Sequence, residues 1–192
     1  FANAAYNSDK FDTPAIAPVR GLDQDTFCLE LWHGPTCAFK DLALQILPFL
    51  LTTSAGKVSG GKKTVILVAT SGDTGKAALE GFKDVPGTEI MVFYPSEGVS
   101  PMQKLQMDTQ EGKNVSVYAI KGNFDDAQTG VKKIFTDEEI KNKLFENGIG
   151  DVDIKQIDIL NLFWEPGITD IQKSRKLSFK CVFFAISRKT GI

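Results

Sequence analysis

Apolar positions along the chain change their spacing in a regular way. Four short runs have the character of strands: 28–32 (CLELW), 64–69 (TVILVA), 89–94 (EIMVFY) and 115–120 (VSVYAI). The second is almost continuously apolar and rich in β-branched residues, as in a strand buried on both faces of a parallel sheet. Helical patterns lie between and after them. Residues 39–53 carry apolar side chains on most turns, and 74–82 (TGKAALEGF) start just after a strand. Residues 101–109 follow Ser100, a good N-cap, with Pro101 at the first helical position. Residues 124–135 follow Asn123 and open with Asp125 and Asp126, which suit the positive end of a helix dipole. Residues 138–145 extend or follow that helix, and 56–63 (GKVSGGKK) read as a flexible surface connection. The alternation predicts an α/β fold, a doubly wound and mainly parallel sheet with helices on both faces.

Composition narrows the setting. The chain has 192 residues, 42% hydrophobic and 24% charged, which excludes disordered, collagen-like and disulfide-dense classes. The longest apolar stretch, 42–51, contains Gln45 and Pro48 and reads as a buried helix rather than a membrane span. No signal peptide is visible, and the missing initiator Met suggests an absent or processed start. Three irregularly spaced cysteines with a single His argue against a zinc site and point to a reducing, cytoplasmic location. The acidic pI of about 5.5 argues against nucleic acid as the main partner. Charge is split. Residues 1–164 carry 22 acidic and 16 basic side chains, whereas 165–192 carry 2 and 6.

Two motifs fall where ligands of open α/β sheets collect, beyond the carboxyl ends of strands. The first is 33–41 (HGPTCAFKD). Gly34 and Pro35 break the preceding strand, and Lys40 is expected in the first helical turn, near the positive helix end. That position disfavours protonation, and a neutral amine is what imine chemistry needs. The second is 70–75 (TSGDTG), where two glycines allow close backbone approach. Ser71 and Thr74 add hydroxyls, and a helix N-terminus adds N–H donors, together an anion site. An ordinary strand-to-helix turn with Asp73 or Thr74 as N-cap is the plainer alternative. A Walker A loop is excluded, because Thr70 stands where its first Gly belongs and Ala77 replaces its hydroxyl. His33 reads as structural or as a support lying behind the site, Cys37 as a buried thiol, and Phe39, Phe49, Phe82 and Phe93 as core.

These motifs together resemble threonine synthase, a pyridoxal-phosphate (PLP) enzyme of the fold type II group. The resemblance rests on 29–41 (LELWHGPTCAFKD), 69–78 (ATSGDTGKAA), 94–103 (YPSEGVSPMQ) with Gln106 and Met107, and 122–128 (GNFDDAQ). Order and spacing agree over roughly residues 5–160. It implies the small domain of such an enzyme. Lys40 would form the internal aldimine with PLP and then shuttle protons at the substrate carbons. Phe39 and Asp73 would border the cofactor, and Ser71, Gly72, Asp73, Thr74 and Gly75 would hold the substrate carboxylate. The implied reaction converts O-phospho-L-homoserine and water into L-threonine and phosphate. A related phospho-lyase with another substrate, or a non-catalytic fragment or interaction protein, remain the alternatives.

The resemblance has edges. Family members are at least twice as long, and the glycine- and asparagine-rich loop for the PLP phosphate is not recognisable; 122–124 lie in the wrong place for it. The match decays near Asn161, and Pro166-Gly167 would break the helix the family has there. The chain therefore divides into an N-terminal segment (1–27), a lysine-bearing α/β domain (28–160) and an atypical tail (161–192). A missing second domain, or self-association in its place, is expected.

Overall fold

The computed structural model describes residues 1–58, 62–139, 142 and 152–156. Its centre is a four-stranded parallel sheet in the order β5-β4-β3-β6, built from β3 (Lys63–Ala69), β4 (Thr88–Pro95), β5 (Val115–Ile120) and β6 (Val152–Gln156). Crossover helices α4 (Asp73–Phe82), α5 (Pro101–Asp108) and α6 (Phe124–Thr136) join successive strands. Strand alternation sorts the core onto two faces. Val65 and Leu67 pack with Val131 of α6. Ile66, Val68, Ile90 and Val92 point to the other face, where Gly75 of α4 lies against Val92. The expected doubly wound arrangement, with helices on both faces, is therefore present.

Helix starts follow their sequence signals. Ser100 caps α5, its hydroxyl accepting the Gln103 N–H, and Pro101 stands in the first turn. Asn123 and Asp126 form a reciprocal capping box at α6.

Three features differ from the sequence expectations. The run 28–32 does not enter the main sheet. Its first part is β2 (Phe27–Leu29), paired antiparallel with β1 (Val19–Gly21), a strand too short to show in the hydrophobic pattern. The hairpin bears exposed Val19, Leu22, Phe27 and Leu29. The single helix expected over 39–53 is two: α2 (Asp41–Leu44) and α3 (Leu47–Val58). Pro48 explains the break, since its ring lacks an N–H and collides with the carbonyl four residues back. α3 also runs into the expected 56–63 connection, and residues 59–61 lie outside the described set. β6, flanked by undescribed residues, was not foreseen. The expected helix over 138–145 and the tail at 161–192 lie largely or wholly outside the described residues. At the N-terminus is the short α1 (Ala2–Ala5).

α2 and α4 cross at very close range. A Cβ on Gly81 would collide with the backbone carbonyl oxygen of Leu44, which is fully buried. Gly130, in the middle of α6, has nothing near its missing Cβ. Opposite outcomes follow from the same substitution. Gly81→Ala should lower the unfolding free energy by about 1–3 kcal/mol through overpacking. Gly130→Ala should raise it by about 0.5–1 kcal/mol through backbone entropy. Urea denaturation of the two variants beside the parent chain measures both.

Candidate functional site

The turn that carries Lys40 is organised by its neighbour. Asp41 is 1% exposed, and its carboxylate reaches back to accept the Thr36 N–H at 2.8 Å and the Thr36 hydroxyl at 2.7 Å. Gly34 makes room, since a Cβ there would stand 2.5 Å from the Asp41 Cβ. Burial pushes the Asp41 carboxyl above the ordinary range, and the two Thr36 bonds work against that rise. The turn closes with the Cys37 N–H donating to the Gly34 carbonyl at 3.0 Å, Cys37 itself adopting a left-handed φ of 56°. Cys37 is exposed, not buried as expected from sequence.

Lys40 is the N-cap of α2 rather than a residue of its first turn, and α2 has only four residues. The lysine's amine is nevertheless held below the usual lysine range. The main cause is burial of the half-buried side chain rather than a helix end, and the Asp73 carboxylate opposes the shift. Its Nζ lies 4.4 Å from the centroid of the Phe39 ring. Phe39 is 40% exposed, so it forms part of the rim of this turn and not of the core. Phe82 is core as expected; Phe49 and Phe93 are half-buried.

The second turn depends on Thr70. This side chain is 2% exposed. Its hydroxyl accepts the N–H of Gly72 at 3.0 Å and of Gly75 at 2.9 Å, so β3 passes into α4 through a side-chain bridge. Gly72 is the N-cap, with φ 152°, a conformation that favours glycine. Gly75 lies against the Thr70 methyl and 3.0 Å (for a built Cβ) from Val92 Cγ1, so it serves packing. Ser71 and Asp73 are exposed and Thr74 is half-buried, while Gly72 and Gly75 are buried. Thus the structure brings Lys40 and Asp73 within electrostatic reach and leaves Ser71, Asp73 and Thr74 as the accessible part of the loop.

Three contributors had no role assigned from sequence: Thr70, Asp41 and Gln103. Gln103 Nε2 donates to Asp73 Oδ1 at 2.6 Å. Ser100 and Gln103 have capping-box spacing, which would send the Gln side chain back to the Ser100 N–H. Nothing in that spacing signals that the amide turns to Asp73 instead. His33 is held by acids on both ring nitrogens. Its ring nitrogens meet Asp12 and, at 2.8 Å, Glu30, which Arg20 also approaches at 3.3 Å.

The architecture is that of the small domain of fold type II PLP enzymes: a lysine-bearing turn facing a glycine- and hydroxyl-rich strand-to-helix loop on a parallel sheet. The chain is similar to the threonine synthases in sequence and in fold. It is 47% identical over 128 residues to threonine synthase of Pseudomonas aeruginosa, covering 67% of this chain and 27% of that protein. It is 40% identical over 141 residues to threonine synthase of Escherichia coli, covering 73% of this chain and 32% of that protein. A protein named threonine synthase-like 1 from Homo sapiens is 40% identical over 136 residues, covering 68% of this chain and 18% of the relative. The PLP-bound threonine synthase from Brucella melitensis superposes with a TM-score of 0.67 at 38% identity, covering 80% of this chain and 31% of the other. The chain thus spans about a third or less of the length of these relatives. No family model matches it.

Two consequences are measurable. Thr36→Val leaves the buried Asp41 carboxylate short of a donor and should cost about 1–3 kcal/mol in urea unfolding. His33, only 13% exposed, has its pKa raised, chiefly by the Glu30 hydrogen bond and further by Asp12. A raised histidine pKa stabilises the fold fully below the unfolded value of about 6.5 and ceases to do so as pH climbs through the folded value. The melting temperature should therefore fall as pH rises past about 6.5, and a His33→Gln variant should show a flatter profile over that range.

Proposed function

We propose that this chain is the lysine-bearing α/β domain, residues 28–160, of a cytoplasmic PLP-dependent carbon–oxygen lyase of the threonine synthase kind. Its reaction is the conversion of O-phospho-L-homoserine and water to L-threonine and phosphate. The observation that carries the reading is Lys40. Its half-buried amine is held below the usual lysine range by burial and lies within the field of Asp73, on the loop 71–75. The sequence similarity to proteins named threonine synthase supports it further.

The residues present fit the attachment end of the cofactor. PLP, when bound, supplies an electron sink for charge developing on a substrate carbon. Lys40 would hold it, with Phe39 at the rim and Asp73 alongside. A primary amine whose hold on its proton is weakened by burial can serve as base and then acid at the substrate α and β carbons in turn.

The loop's part follows from its hydrogen bonds. Thr70 occupies the N–H groups of Gly72 and Gly75. The N–H groups of Asp73 and Thr74, at the first helical positions, have no acceptor within an α-helix. With the Ser71 and Thr74 hydroxyls they suit a substrate carboxylate. Gly72 and Gly75 contribute by shape. A covering of the exposed apolar hairpin by a further domain or a second copy is part of the same proposal.

Similarity to threonine synthase-like 1 favours one other reading, a phospho-lyase acting on another phosphorylated amino acid. Phosphate release from a panel of such substrates separates the two. The primary reading is tested by titrating the chain with PLP, reducing with borohydride and mapping the adduct by peptide mass spectrometry. One dominant adduct, on Lys40 and absent from Lys40→Ala, is expected. Adducts spread evenly over surface lysines such as Lys57 and Lys104 would overturn it.

A further inference from the structure

We propose that Gln103 is a positioning residue for Lys40: from α5 it holds the Asp73 carboxylate beside the lysine and prevents the two from closing into an ion pair. The inference rests on the reading of Lys40 as the reactive amine.

Three features of the geometry carry it. First, the Gln103 amide is fixed at both ends. Ser100 Oγ donates to Gln103 Oε1 at 2.9 Å and accepts the Gln103 backbone N–H at 3.2 Å. With Oε1 so engaged, Nε2 must face Asp73, which it meets at 2.6 Å. Second, the loop is shaped to receive this amide. A Cβ on Gly72 would stand 2.5 Å from Gln103 Cδ, so any other residue at 72 would expel the side chain. Third, Gln103 forgoes the local bond its position offers. At N3 behind a serine N-cap it could close a capping box, yet its amide crosses from α5 to α4.

The consequence is electrostatic. Asp73 acts on Lys40 through space, and no ion pair between the two is found among the described residues. Of the other nearby acids, Asp41 is directed into the Thr36 turn, while the field of Glu80 on α4 falls on Asp41 and Lys10. Asp73 is therefore the acid that governs the amine. A carboxylate in contact with an ammonium favours the charged form and would withhold the amine from attack. Gln103 competes for that carboxylate. Without it Asp73, exposed and at the first position of α4, is free to relax onto Lys40.

The test reads the amine without any cofactor. Reductive methylation of Lys40 near neutral pH, followed by peptide mass spectrometry, reports its neutral fraction. Gln103→Leu should slow Lys40 methylation by at least about threefold, equivalent to about half a pKa unit. Lys57 and Lys104 in the same sample should be unchanged. In the Asp73→Asn background the same substitution should have no effect, because no carboxylate is left to release. Gln103→Met, closer in length, replaces Leu if circular dichroism shows a disturbed fold. An unchanged or faster rate, or slowing that persists with Asn at 73, overturns the inference. Its failure is separable from failure of the functional reading. In the first case PLP still attaches to Lys40 of the parent chain; in the second it does not.

Discussion

The close crossing of α2 over α4 is the contact on which the site depends. Gly81 rests on the Leu44 carbonyl with no space for a methyl group. The lysine turn leads into α2 and the 70–75 loop leads into α4, so the crossing fixes one loop relative to the other. A side chain at 81 would separate the helices and move Lys40 away from Asp73. The parallel sheet supplies the remaining constraint. β3 and β4 run in register from Thr64 and Thr88 to Ala69 and Phe93, which sets where α4 begins.

Each loop is then organised by one buried polar side chain that bonds to the turn's own backbone. Asp41 does this for 34–41 and Thr70 for 70–75. Both solve the same problem. A turn at the end of a buried element exposes N–H groups to an apolar surrounding, and an unpaired buried N–H costs about 1–3 kcal/mol. The solutions differ in electrostatic cost. Thr70 is neutral. Asp41 is an acid in a dry site, tolerable because Thr36 gives its carboxylate two donors.

Much of this was legible in the sequence, and the limits have physical reasons. The TVILVA run identified β3 because a strand covered on both faces has no polar alternation to hide it. Ser100-Pro101 and Asn123 marked helix starts because capping is a local interaction. The break at Pro48 was also local, but the apolar pattern of 39–53 continues across it and masked it. The hairpin of β1 and β2 was not legible, since three-residue strands with exposed apolar side chains leave no periodic signal. In the site, Lys40 and the 70–75 loop were recognisable as motifs. Their supports were not: Thr70 bonds its own turn through a buried hydroxyl whose burial no local pattern shows, and Gln103 reaches Asp73 thirty residues away in place of a local bond.

The protonation of Lys40 illustrates why the supports matter. Sequence position suggested a helix-end effect, but a four-residue helix has little macrodipole and the shift comes from burial. Burial alone would leave an amine whose basicity depends on every small change in solvent access. An acid at moderate distance limits that dependence, and an acid in contact would reverse it. The distance is therefore the quantity to be controlled. Lys40 cannot set it, because its side chain is flexible. Asp73 cannot either, because it is exposed at a helix start. The amide of Gln103, bonded to Ser100 on one side, to Asp73 on the other and seated over Gly72, lies between α4 and α5 where it can.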